Sequence, residues 1–128
     1  MDVEEYLKHG KVNVWPNLFA VVKASQSMKG AFCTIDDPQE KTVIIEESKI
    51  EAKHALSVQK GFRVLTFDML VPFGMVGFLA KVGRALADED VSILSYASYS
   101  SDHIMVADRD LDRAISALTS LGLQIVRL

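Results

Sequence analysis

The chain is poor in the residues that would announce a chemistry. It holds one cysteine, Cys33, in 128 residues, so no disulfide can form within it and a reducing compartment is expected. Its three histidines, His9, His54 and His103, stand far apart with no HxxxH or HExxH spacing, and a zinc site built on Cys33 lacks partners. There is no GxSxG, no phosphate loop and no GxGxxG, so neither a nucleophile nor a cofactor is expected. No apolar run approaches the roughly 18 residues of a membrane span; the longest are broken by Lys23, Thr66, Asp68 and Lys81. An excess of positive charge is missing as well. Fourteen Lys and Arg face 17 Asp and Glu, a net charge of −3, which argues against nucleic acid or an anionic membrane as partner. The first residues, MDVEE, lack the basic-then-apolar order of a secretory signal, and a soluble cytoplasmic protein is the expectation.

What is present is an ordinary globular composition, 49% hydrophobic and 24% charged. At this length it predicts one domain or two small packed modules with a sizeable core. Residues 18–23 (LFAVVK), 31–35 (AFCTI) and 42–46 (TVIIE) read as strands rich in β-branched side chains. Ser48 with Glu51 three residues on has capping-box spacing, and Ile50, His54 and Val58 share a helical face. A helix is therefore expected there, ending at Gly61.

The second half is cleaner. Leu65, Phe67 and Met69 alternate with Thr66 and Asp68, the period of a half-buried strand. From Gly74 the period changes, and Met75, Phe78, Leu79, Val82 and Leu86 mark a helical stripe. Residues 91–99 and 103–107 read as antiparallel strands around the turn 100–102. Asp110 is placed to cap a second helix with the stripe Leu111, Ala114, Ile115, Leu118 and Leu121, and Gly122 stands at its stop. A final strand follows. Strand, helix, strand, strand, helix, strand is the ferredoxin-like βαββαβ order. The strands carry apolar residues on both faces, so a second layer is required, from the N-terminal half or another subunit.

Among candidate sites, Cys33 lies in an apolar strand, where an inert buried thiol is expected. Glu46-Glu47 and residues 88–90 read as solvated acids. Tyr96 and Tyr99 lack the neighbouring Lys or Arg of an RNA-binding strand. The informative segment is Pro72-Phe73-Gly74-Met75-Val76-Gly77, which joins a strand to a helix. Its glycines allow close backbone approach, and the helix N-terminus offers N–H groups and positive potential to a carboxylate. Asp102, with His103 beside it, is placed to hold an ammonium group. The pair describes an amino-acid site. The glycines equally permit tight packing, and Asp102 is equally placed to cap a turn.

Residues 65–106, and above all GFLAKVGRALADEDVSILSYASYSSDHIMV (77–106) with DLDRAISALTSLG (110–122), resemble an ACT domain. The nearer likeness is to tandem-ACT proteins related to cytosolic arginine sensors and to small bacterial ACT proteins. The pieces FAVVKA, AFCTI and TVIIEES look like that family's degenerate first unit. The resemblance implies an α+β fold of two tandem ACT-like units, 1–60 reduced and 61–128 complete, with helices on one face of antiparallel sheets. It implies a non-enzymatic regulatory protein that binds an amino acid through Pro72, Phe73, Gly74, Met75, Val76, Gly77, Asp102 and His103. A homodimer and a regulatory protein partner follow from the same likeness. The alternative is a structural or protein-interaction module whose ACT surface only mediates assembly. Relatives often carry an acid at Pro72 and a hydroxyl at Gly74, so the resemblance does not name the ligand.

Overall fold

The computed structural model describes residues 2–72 and 75–128. In chain order the elements are α1 (Val3–His9), β1 (Lys11–Val14), β2 (Phe19–Ala24), β3 (Cys33–Asp36), β4 (Lys41–Glu46), β5 (Ala55–Phe67), α2 (Phe78–Asp88), β6 (Leu94–Ala97), β7 (Asp102–Ala107), α3 (Leu111–Ser120) and β8 (Gln124–Arg127). They divide into two compact units, Asn17–Phe62 and Met1–Pro16 with Arg63–Leu128.

The smaller unit is antiparallel, in the order β3-β4-β2-β5. Alternation along β2 and β4 buries Ala20, Val22, Ala24, Val43 and Ile45 on one face, with Met28 against them. The three expected strands are therefore present. The helix expected from Ser48 is not: residues 47–49 and 52–54 form short 3-10 turns, neither capped by a side chain, and strand begins at Ala55. Helix propensity at Lys49, Ala52 and Lys53 is worth only tenths of a kcal/mol per residue, and a short isolated helix is marginal. Pairing with β2 and packing of Ala55 and Val58 on the small core outweigh it. Glu47, expected as a solvated acid, instead accepts a hydrogen bond from the Gly61 N–H at 2.7 Å. Phe19 faces Phe62 while Val21 faces Gln59, so β5 carries one extra residue. Gly61, at φ +86°, supplies the left-handed backbone of that bulge.

The larger unit has the strand order β6-β7-β5-β1-β8, with β1 antiparallel to β5 and parallel to β8. From β5 onward it shows the expected strand–helix–strand–strand–helix–strand order. One buried cluster unites Leu65 and Phe67 of β5, Ile104 and Val106 of β7, Phe78, Val82 and Leu86 of α2, and Ala114 and Leu118 of α3. Phe67 and Phe78 meet edge to face, with ring centroids 5.3 Å apart. Arg113 of α3 donates to the carbonyls of Glu89 at 2.8 Å and Asp90 at 3.2 Å, and pairs with the buried Asp110. Asp110 thus holds Arg113 and makes no side-chain capping bond to α3.

The boundary expected at 60/61 is corrected at the N-terminus. Residues 1–16 group with 63–128, because Val12 and Val14 alternate into the large core from between β5 and β8. Helix α1 was not expected either. Asp2 accepts from the Glu5 N–H at 3.0 Å, a capping arrangement visible in the D-x-x-E spacing, and Leu7 is buried in the large core.

Candidate ligand-binding site

Three short segments of the larger unit line an open cavity of about 340 Å³, within the roughly 300–1,000 Å³ of small-ligand sites. On one side stand Val71, Pro72, Met75, Gly77 and the first turn of α2; on the other stands the β6–β7 hairpin from Ala97 to Asp102. Gly77, at φ +90°, is the residue before α2, and no side chain caps the helix. This left-handed turn explains why the helix begins at Phe78, and why Met75 packs on the core from outside it. Phe78, Leu79 and Ala80 form the first turn of α2, where helix amides lack intrahelical acceptors. They bring the positive end of the helix dipole to the cavity wall.

Asp102 begins β7, opposite Ala97 of β6. Strand alternation puts it on the face of Ile104 and Val106, toward the helices. It lines the cavity, half-buried. Among the described residues no ion pair involves it.

Of the eight residues expected at the site, Pro72, Met75, Gly77 and Asp102 line this cavity. Phe73 and Gly74 lie outside the described residues. Val76 is 88% exposed and does not line it.

His103 lines a neighbouring hollow of about 150 Å³, shared with Asp102 and Tyr96. Its ring is held at both nitrogens. The Trp15 indole N–H donates to the Thr66 hydroxyl at 2.8 Å, and that hydroxyl lies 2.8 Å from His103 Nδ1. His103 Nε2 lies 3.1 Å from the Ser98 hydroxyl, which donates to the Ser101 carbonyl at 3.1 Å. A neutral ring with its proton on Nε2 gives every contact one donor: Thr66 O–H to Nδ1, and Nε2–H to Ser98. Burial pushes the His103 pKa down, and the Asp102 charge only partly opposes this. His103 therefore braces the hairpin turn that forms one cavity wall. Trp15, Thr66 and Ser98 were not anticipated, since only the pairing of β1, β5, β6 and β7 brings them together. Tyr99 is 85% exposed at the cavity.

Elsewhere, burial raises the pKa of the Cys33 thiol on β3. Among the described residues no group of His, Cys, Asp or Glu could hold a metal ion, and no helix is long and apolar enough to cross a membrane.

The model of the ACT domain family matches residues 57–120, half of the chain, and the chain belongs to that family. No curated protein matches it. Among solved structures, an Agobacterium tumefaciens protein superposes with a TM-score of 0.79 at 16% identity over 93% of each chain. A Vibrio cholerae protein of unknown function gives 0.77 at 20% identity, over 94% of this chain and 95% of its own. The ligand-free regulatory subunit of aspartate kinase from Thermus thermophilus gives 0.62 at 9% identity, over 90% and 98%. At these identities the likeness is one of fold: two ACT-like units, the first reduced.

Proposed function

We propose that this chain is a non-enzymatic regulatory module that binds a free amino acid in the cavity at the start of α2. The observation that carries the reading is the cavity itself, with uncapped helix amides on one wall and the carboxylate of Asp102 on the other. The α-carboxylate takes the amides around Gly77–Ala80, and the ammonium takes Asp102 in a charge-assisted bond. Membership of the ACT family and the fold shared with an aspartate kinase regulatory subunit support the regulatory role. Pro72 and Met75 line the cavity, and Phe73, Gly74 and Val76 belong to the proposed site by their place in the sequence. His103 acts through the hairpin. A protein partner in the cytoplasm receives the signal.

A thermal-shift screen against the twenty amino acids tests this. A ligand at 100 times its dissociation constant adds about 2.7 kcal/mol of stability. A flat response across the panel refutes the reading.

A homodimer is the assembly we propose. Leu70, Val76 and Tyr99 are 68%, 88% and 85% exposed, and large exposed apolar side chains favour an interaction surface. Light scattering is expected to give twice the chain mass; a monomer at micromolar concentration and above contradicts it. A dimer with a flat amino-acid response supports the assembly-module alternative.

A further inference from the structure

We infer that the ligand is a neutral amino acid with an apolar side chain. The inference rests on the cavity proposed above and adds to it the inventory of charge in its walls. Among the described residues, those that line the cavity include one carboxylate, Asp102, and no Lys, Arg or His. A zwitterionic backbone engages both complements available, the first-turn amides of α2 and Asp102. Nothing remains for a charged side chain. A second carboxylate would lie near Asp102 without a cation, and a second ammonium or guanidinium would have to share the single carboxylate with the α-ammonium. A charged side chain laid against these walls loses part of its hydration and gains no ion pair. The nearest cation along α2, Lys81, is already paired with Glu4 at 3.0 Å.

Beside Ser98, Ser100 and Ser101, the wall presents the apolar side chains of Val71, Met75, Leu79 and Tyr99. Leu79 is 50% exposed and Tyr99 85%, so a hydrocarbon or aromatic ligand side chain would cover surface that now faces water.

Calorimetry on the full chain with L-leucine, L-phenylalanine, L-glutamate and L-arginine as probes tests the assignment. Leucine or phenylalanine is expected to bind about tenfold or more tightly than glutamate and arginine. Asp102→Asn is expected to weaken that binding by about tenfold, the effect of losing one charge-assisted bond. Ala80→Arg, at an exposed helix position on the cavity wall, adds the missing cation and is expected to raise glutamate affinity about tenfold. If glutamate or arginine binds the native chain best and Asp102→Asn weakens it, the site stands and the ligand class is overturned. If leucine binds but neither substitution changes any affinity, the site itself is overturned, and the class with it. No binding of any probe overturns both.

Discussion

Asp102 and His103 are neighbours in the chain and point to opposite faces of β7, as strand geometry requires. That alternation separates their roles: Asp102 stands at the cavity, and His103 is bonded to Thr66 and Ser98. The same burial makes His103 a source of pH dependence. Its folded pKa lies below the ordinary value near 6.5, first through burial, with Asp102 opposing. The unfolded chain therefore binds the proton more readily, and stability contributed by the neutral ring is complete above about pH 6.5 and declines as pH falls toward the folded pKa. Protonation also makes Nδ1 a donor, so the Thr66 hydroxyl loses its acceptor. The melting temperature of the native chain is expected to fall between about pH 7 and pH 5 more steeply than that of His103→Gln. Equal slopes would remove His103 from the account. Trp15 reports the same event, because its indole shares Thr66 with the ring: its fluorescence is expected to titrate with His103 and to be flat in His103→Gln. At this scale the sequence disclosed the ionisable candidates but not their division of labour. Period-two alternation foretells opposite faces for residues 102 and 103, whereas Trp15 and Thr66 are 51 residues apart and meet only through pairing of β1 with β5.

The beginning of α2 shows what a single backbone angle does for an element. A Cβ built on Gly77 meets no atom of the described residues within 4 Å, yet the residue sits at φ +90°. Gly77→Ala is thus expected to cost about 1–2 kcal/mol through strain and not through crowding. Gly83, inside the same helix and with equally open space, gives the opposite sign: Gly83→Ala is expected to gain about 0.5–1 kcal/mol. Urea unfolding of the two variants checks the pair, and a shared sign contradicts the geometry. The helical stripes of α2 and α3 were legible because each repeats at three and four residues over two or more turns; their Val82, Leu86, Ala114 and Leu118 are all fully buried. The segment 48–61 misled for a physical reason. Its helix signals are local and weak, while the bonds that make it a strand reach back to β2, some 30 to 40 residues away in the chain.

At the scale of the whole molecule, the larger unit is completed by chain from its far end. β1 lies between β5 and β8, and Leu7, Val12 and Val14 are 2%, 0% and 1% exposed. Each such side chain is worth about 1.5–3 kcal/mol when fully buried, and without β1 two strands lose their ladder partner. A chain lacking residues 1–16 is expected to unfold at a much lower urea concentration than the full chain or to remain unfolded. An unchanged midpoint would show that 63–128 is self-sufficient. The βαββαβ order was legible because it is written in contiguous periods. The inserted strand was not, since four residues of alternation (KVNV) name no partner.

The central claim, that an amino acid sits between the α2 amides and Asp102, is tested most directly by amide NMR on the isotopically labelled full chain titrated with the amino acid selected in the thermal screen. The account predicts the largest shifts at the amides of Gly77, Phe78, Leu79 and Ala80 and of residues 97–102, reduced together in Asp102→Asn. Shifts confined to other segments would contradict it.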